Sequence, residues 1–371
     1  MVNSWSTADR QYMTRALQLA WRGQYSTHPN PRVGCVIVND GVVVGEGFHE
    51  RAGEGHAEVH ALVQAGARAK GATAYVTLEP CSHHGRTPPC ADALINAGVS
   101  RVVAAMQDPN PKVSGKGLLR LKDAGIAVSS GLLEEQAVEL NQGFISRMSL
   151  GRPFVRLKMA SSLDGRTAMQ SGESQWITGP DARRDVQRWR ARASAILSSV
   201  GTIRYDNPML TVREPELLDR RFEQPTRVIL DSKAVLAGNE AVFEDTASVI
   251  YMVGNDCAVS EYVCSLAHVD ILRMPLNKKG RFDAASLLER LAEREINEVL
   301  VEAGAGVAGD FLEQGAVDEL LIYMAPKLMG SAARGLAELP FEKMSEALDL
   351  ELMDLRMLGQ DVRMQYRLAR Q

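Results

Sequence analysis

Apolar and polar positions change period several times along the chain. Behind a Ser6 or Thr7 cap, the residues Tyr12, Ala16, Leu19 and Ala20 fall near one face, which predicts an opening helix from Thr7. VGCVIVNDGVVVGEG carries two β-branched runs joined by Asn39, Asp40 and Gly41, the pattern of a hairpin. Helical spacing returns from His56 to about Ala69, ATAYVTL reads as a strand ending at Glu79, and Pro88 to Ala97 reads as a helix opened by proline. RVVAAM, a helix from Ser114 to Ala124, and IAVSS complete an alternating α/β layout.

Past a helix end near Asn141, Gly151-Arg152-Pro153 reads as a connector, and we place two domains at 1–147 and 148–371. The second series has candidate strands at FVRLKMA, Ala195–Ser199, Arg227–Leu230, Val249–Val253, Glu298–Val301 and Glu319–Tyr323. Helices are expected at Asp181–Arg192 and Asp283–Glu293, and the tail from Leu350 to Leu368 reads as two strands added antiparallel to an edge. Alternation predicts a mainly parallel sheet flanked by helices.

With 371 residues, 45% hydrophobic and 24% charged, the chain has the balance of a globular protein and the length for two domains. A formal charge of −4 removes the basic footprint of a nucleic-acid binder, so no nucleic-acid partner is expected. No apolar run is long enough to span a bilayer, and MVNSWSTADRQY lacks a basic, apolar leader pattern, so no membrane partner and a cytoplasmic location are expected. In a reducing compartment, five cysteines are too sparse for a disulfide scaffold. That makes Cys81 and Cys90 ligand candidates, with Cys35, Cys257 and Cys264 incidental thiols.

His56, Cys81 and Cys90 are the metal constellation. Three protein ligands leave a fourth position for water, the pattern of a catalytic rather than a structural zinc, and one Zn2+ per chain is expected. Glu58, two residues from His56, can reach that water without ligating the ion and is the expected proton shuttle. HAE followed by Pro80-Cys81 fits the H-x-E…P-C-x-x-C pattern of zinc deaminases, except that eight residues, SHHGRTPP, separate Cys81 from Cys90. That loop holds His83 and His84 as rival ligands. Other readings of these residues are a structural zinc in an interaction module and a deaminase acting on nucleic-acid bases.

HPNPRVGCVIV, GEGFHERAGEGHAEVHAL, TLEPCSHHGRTPPC and DPNP, with LKMASSLDGRTA, SGESQWITG, DNPMLTVR, VEAGAGVAG and APKLMG further on, resemble the bifunctional riboflavin-biosynthesis deaminase/reductase family over nearly the whole chain. The resemblance implies a cytidine-deaminase-like three-layer α/β/α domain followed by a dihydrofolate-reductase-like α/β domain. It also implies deamination of a phosphoribosylaminopyrimidine, then NADPH reduction of its ribosyl unit to ribityl, and a homodimer. By the same likeness Asn30, His49, Arg86, Asp108 and Asn110 contact the deaminase substrate, although HPNP and DPNP are also turn sequences in any protein.

For the reductase, the resemblance assigns Ser174, Arg190, Leu210, Arg213 and Glu302 to substrate. It assigns Ala160, Trp176, Thr202, Asp206, Ser232 and Gly304, Ala305, Gly306, Val307, Ala308, Gly309 and Asp310 to NADPH. The two arginines suit a ribose phosphate, and Glu302 or water is expected to supply the reduction's proton. GAGVAG is a literal GxGxxG after EVLVE, which invites a Rossmann reading. Yet it lies late in its domain, and no acid about 20 residues on is placed to hold a ribose hydroxyl, so NADPH is expected over NADH. Lys158 and Asp164 sit near this expected site without an assigned role.

Overall fold

In the computed structural model, which describes residues 5–82, 88–111, 113–218 and 222–368, the opening helix forms where the apolar spacing puts it. α1 (Thr7–Trp21) starts on a capping box: the Ser6 hydroxyl accepts from the Asp9 N–H, and the Asp9 carboxylate accepts from the Ser6 N–H. The hairpin follows as β1 (Gly34–Asn39) and β2 (Val42–Phe48), antiparallel, with an irregular register at Ile37/Val38. Next come α2 (Ala57–Ala65), a 3₁₀ turn at Gly66–Ala69, β3 (Thr73–Val76), α3 (Cys90–Ala97), β4 (Arg101–Ala104), α4 (Lys116–Asp123) and β5 (Ala127–Ser130). Two short helices, α5 (Glu134–Leu140) and α6 (Gln142–Leu150), occupy the stretch read from sequence as a helix end and connector. α5 buries Ala137 and Leu140, and α6 buries Gly143, Phe144 and Ser146.

The sheet order is β2-β1-β3-β4-β5 among the described residues, with β1 antiparallel to both neighbours and β3, β4 and β5 parallel. Close approach explains two glycines. A Cβ on Gly34 would lie 2.0 Å from the Ala16 carbonyl of α1, and one on Gly47 would lie 2.4 Å from the Ala57 carbonyl of α2. Gly47 pairs with Cys35, and consecutive strand residues point to opposite faces, so α1 and α2 cover opposite sides of the sheet. That is the three-layer α/β/α arrangement. The strand expected to run to Glu79 leaves the ladder after Val76, because the chain there turns toward the loop that carries Cys81.

Two units divide the chain, Met1–Gly151 and Arg152–Gln371, so the division falls after α6, a little beyond the expected 147/148. The second unit begins with β6 (Phe154–Ser162) and β7 (Arg166–Ala168), followed by α7 (Pro180–Arg192), β8 (Ala195–Ser199), α8 (Val200–Asp206), β9 (Thr226–Asp231) and β10 (Val249–Gly254). It continues with α9 (Glu261–Ser265), β11 (Val269–Met274), α10 (Ala284–Ala292), β12 (Glu298–Val301), α11 (Ala305–Glu313) and β13 (Glu319–Ala325). β14 (Arg334–Gly335), β15 (Leu350–Leu358) and β16 (Asp361–Leu368) complete it.

Its large sheet has the order β11-β10-β9-β8-β12-β6-β13-β16-β15 among the described residues. Every pair is parallel except those made by β16, which runs antiparallel to β13 and β15 and so adds the tail at one edge as the sequence predicts. Arg156 on β6 is buried between Glu298 of β12 and Glu319 of β13, the latter at 2.6 Å. An unpaired guanidinium is very unfavourable there, so the three central strands are locked side by side.

Candidate active sites

In the first unit, each metal-ligand candidate sits at the end of an element. His56 is the N-cap of α2, Cys81 follows β3 on the loop beyond Glu79, and Cys90 opens α3. His56 Nδ1, Cys81 Sγ and Cys90 Sγ all lie within 4.8 Å of one another. The imidazole Nδ1 is 3.2 Å from the Cys90 sulfur and 3.7 Å from that of Cys81. A tetrahedral zinc with usual bond lengths separates neighbouring ligand atoms by roughly 3.6 Å, so this donor set fits a metal ion. The backbone N–H of Cys90 donates to Cys81 Sγ at 3.3 Å. The contact with the Cys90 thiol brings the Cys81 pKa down to about 4, and the same contact pushes that of Cys90 up. A hydrogen bond to Cys81 raises His56 from its ordinary value. Among the described residues this is the one His/Cys/Asp/Glu group with metal-holding geometry.

Glu58 sits in the first turn of α2, is 3% exposed and hydrogen-bonds to Cys90. Burial pushes its carboxyl up to about 7, against the opposing pull of His56. His49 is buried and stands edge-on to His56 with ring centroids 5.3 Å apart. Its Nε2 lies 3.1 Å from the Asn30 amide nitrogen and its Nδ1 lies 3.2 Å from the Gly55 carbonyl, while burial lowers its pKa to about 4. The structure therefore joins Asn30, His49 and His56 in one contact chain. Asp108 is buried and raised to about 6, chiefly by desolvation, and it accepts from the Asn110 N–H at 2.8 Å. The Asn110 carbonyl closes the following turn by accepting from Val113 and Ser114, so its turn role is realised in the fold. Arg86, His83 and His84 lie outside the described residues.

The second unit contains a cavity of about 1240 Å³ along the C-terminal ends of the parallel strands, where α/β sheets place ligands. Its lining includes Ala160, Ser174, Trp176, Arg190, Thr202, Asp206, Leu210, Arg213, Ser232, Glu302, Gly304, Ala305, Gly306, Val307 and Asp310. Two expected cofactor contacts fall elsewhere. Ala308 is buried in the core, and Gly309 is pressed against the Glu338 backbone, where a Cβ would lie 2.0 Å from the carbonyl oxygen. The third glycine of GAGVAG is thus a packing residue.

Glu302, just past β12, organises the cavity's charges. Arg190 meets it through Nε at 2.6 Å and Nη2 at 3.0 Å, and also donates to the Thr211 carbonyl. Lys158 Nζ, on β6, lies 3.6 Å away. Burial favours the neutral acid, but the charges of Arg190 and Lys158 outweigh it and hold Glu302 at about 2. Glu302 therefore has no proton to give at neutral pH, which corrects its place among the expected donors. Arg190, expected at the substrate, spends three of its five N–H groups on Glu302 and the Thr211 carbonyl. The Arg213 pKa is lowered by burial and by the neighbouring Arg190, an environment that an incoming anion relieves.

Ser174 Oγ donates to Asp206 at 3.0 Å, joining an expected substrate contact to an expected cofactor contact. Asp164 accepts from Ser162 Oγ and from the Met329 and Gly330 N–H groups, so it pins the turn after β6 to the loop beyond β13. Among the lining residues that sequence reasoning missed are Arg183, Tyr205 and Arg334. Arg183 stacks 4.5 Å from the centroid of Trp176, and Arg334 stacks 5.3 Å from that of Tyr205. The paired RR of the α7 run hid Arg183 among solvated charges, whereas Tyr205 and Arg334 carried no local signal.

These two sites and folds define a two-part enzyme, with a deaminase-type metal centre in one unit and a reductase-type α/β pocket in the other. Residues 6–106 match the cytidine and deoxycytidylate deaminase zinc-binding region, and residues 153–364 match the RibD C-terminal domain. The chain is 52% identical over 363 residues to riboflavin biosynthesis protein RibD of Escherichia coli strain K12, covering 95% of this chain and 98% of that one. It is 50% identical to the Haemophilus influenzae protein of the same name, covering 97% and 98%. A solved structure of Acinetobacter baumannii RibD superposes with a TM-score of 0.91 at 46% identity, covering 98% and 99%. That of a diaminohydroxyphosphoribosylaminopyrimidine deaminase/5-amino-6-(5-phosphoribosylamino)uracil reductase from Thermotoga maritima gives 0.85 at 35%, with the same coverage. The chain belongs to the RibD family of riboflavin biosynthesis proteins.

Proposed function

We propose that the chain converts 2,5-diamino-6-(5-phosphoribosylamino)pyrimidin-4-one to 5-amino-6-(5-phosphoribosylamino)uracil in its first unit and reduces the ribosyl chain to ribityl in its second. The observation that carries this reading is the convergence of His56, Cys81 and Cys90 beside the buried Glu58, in a chain similar throughout to RibD proteins. His56, Cys81 and Cys90 would hold a zinc ion, whose Lewis acidity would make a water available for attack at neutral pH. Glu58 would take one proton of that water to the ring nitrogen, then carry the second, from the hydroxyl left on the carbon, to the departing amine, so water and the C–NH2 group become C=O and ammonia. Asn30 and His49, bonded to one another, and the loop of Asp108 and Asn110 orient the pyrimidine, with Arg86 as a further contact.

NADPH supplies the hydride for the second step. The backbone N–H groups at the N-terminal turn of α11, from Gly304 to Val307, would hold its phosphates, with Asp310 one turn on and Ala160, Trp176, Thr202, Asp206 and Ser232 as its further contacts. Ser174, Leu210 and Arg213 face the substrate, with Arg213 the cation for its phosphate. Glu302 holds Arg190 and Lys158 in place as a fixed anion, which leaves Lys158 and water as the proton-carrying groups.

The assembly is a homodimer built on the edge of the second unit's sheet. Edge strand β15 exposes Leu350, Leu352, Met353, Leu355 and Met357, and an exposed apolar edge strand is a template for pairing. A cytoplasmic setting suits ligands that must stay reduced thiolates. No helix among the described residues is long and apolar enough to cross a membrane. The test supplies the diaminopyrimidinone ribosyl phosphate with and without NADPH. Ammonia release in both cases, with loss of nicotinamide absorbance only as the deaminated product forms, supports the reading. Release of no ammonia by zinc-loaded protein contradicts it.

A further inference from the structure

We infer that Glu79 is a positioning residue that holds the substrate loop of the first unit in register with the metal ligands; the inference rests on the deaminase reading above. Glu79 stands two residues before Cys81 and is 3% exposed. Its backbone N–H donates to the Met106 carbonyl at 3.0 Å, fixing the start of the Cys81 loop to the end of β4. Its carboxylate accepts four main-chain hydrogen bonds from one downstream segment. Oε2 takes the N–H groups of Asp108 at 3.1 Å and Gly115 at 2.8 Å, and Oε1 takes those of Gly117 at 2.8 Å and Leu118 at 3.3 Å.

A carboxylate offers about four lone-pair sites, so these bonds use the whole acceptor capacity of Glu79 and leave it none for substrate. Its influence must pass through what it holds. The clasped segment carries Asp108 and Asn110, themselves joined by a 2.8 Å hydrogen bond. A steric contact reinforces the electrostatic one: a Cβ on Gly117 would lie 1.9 Å from the carbonyl oxygen of Pro80, the residue between Glu79 and Cys81. One buried anion and one glycine thus set how far the Asp108–Asn110 loop stands from the Cys81 loop. A shift of about an ångström between those loops misplaces the pyrimidine relative to Glu58 and the metal, and displacements of that size are worth up to about a hundredfold in rate.

The experiment uses the full-length, zinc-loaded chain. Glu79→Gln keeps the side chain's size but turns an amide NH2 toward two backbone donors, and Gly117→Ala pushes the same helix start away from Pro80 with Glu79 intact. Zinc content, ammonia-release kcat and KM on the diaminopyrimidinone ribosyl phosphate, and NADPH oxidation on the deaminated substrate are measured on the same preparations. Both variants are expected to lower the deaminase kcat/KM roughly tenfold or more, while zinc content and reductase turnover stay at wild-type levels. A wild-type deaminase kcat/KM in the zinc-loaded variants, whatever their melting temperature, overturns the inference, and so does loss of zinc, which would make Glu79 a support of the ligands. If Glu79→Gln does not fold, Gly117→Ala decides alone. Wild-type protein that releases no ammonia overturns the deaminase reading as well, so the two failures are distinguishable.

Discussion

Glu58 is buried and Glu302 largely so, one in each unit, yet their surroundings drive them in opposite directions. Burial raises Glu58 to about 7, and Arg190 and Lys158 hold Glu302 near 2 despite the same penalty. Glu58 shares its pocket with ligand thiols and an imidazole, whereas Glu302 is clamped by a bidentate guanidinium. The comparison teaches that depth alone does not assign a role to a carboxylate. The charges around it decide whether it moves protons or stays a fixed anion.

The sharpest way to break the comparison is to remove each carboxylate's charge while keeping its shape. Glu58→Gln is expected to bind zinc at wild-type stoichiometry and to lose deamination by about 10²- to 10⁴-fold with reductase turnover unchanged, read as ammonia release against NADPH oxidation. Substantial deamination by that variant would remove Glu58 from the proton path. Glu302→Gln leaves Arg190 and Lys158 without their anion. A fall of about a hundredfold in NADPH oxidation is expected, with ammonia release intact; equal loss in both assays would point to global misfolding.

The same pair sets a pH dependence. The folded pKa of Glu302 lies below its ordinary 4.5, so its stabilising contribution is in force above that value and is lost as pH falls toward about 2. The melting-temperature gap between wild type and Glu302→Gln should therefore close between roughly pH 4.5 and pH 2. A gap that persists unchanged to pH 2 contradicts the ion cluster.

Smaller effects sharpen the account of the second unit. Gly309→Ala forces a Cβ toward the Glu338 carbonyl and should cost about 1–3 kcal/mol of stability, read by denaturant unfolding, with a modest rise in the KM for NADPH. No loss of stability would show that the strap at Glu338 moves freely. Leu355→Lys on β15 should shift the protein from dimer to monomer in sedimentation with both activities retained. An unchanged dimer places the interface elsewhere.

The metal site was legible because its residues fall in two short motifs, His56-Ala-Glu58 and Pro80-Cys81, with Cys90 nine residues beyond. His56 and Glu58 share one helix start, and each cysteine lies at an element end that apolar periodicity predicts within a few residues. The central parallel strands were legible because FVRLKMA, Ala195–Ser199 and Glu298–Val301 are short, mostly apolar stretches between helical ones. The charge pairing of the second unit was not. Arg190 and Glu302 are 112 residues apart, and nothing in RRDVQRWRAR marks the one arginine that turns inward. Glu79 was hidden differently, since its four partners are backbone amides with no side-chain signature. β14 has two residues and β11 is largely half-exposed, so neither carries a strong pattern.

The most direct measurement is zinc-edge X-ray absorption on the full-length protein, with metal content determined on the same sample. The account predicts one zinc per chain with one nitrogen and two sulfur ligands and a lighter oxygen neighbour in the fourth place. Four protein ligands to the ion, or sulfur scattering absent from its shell, would contradict an open centre built from His56, Cys81 and Cys90.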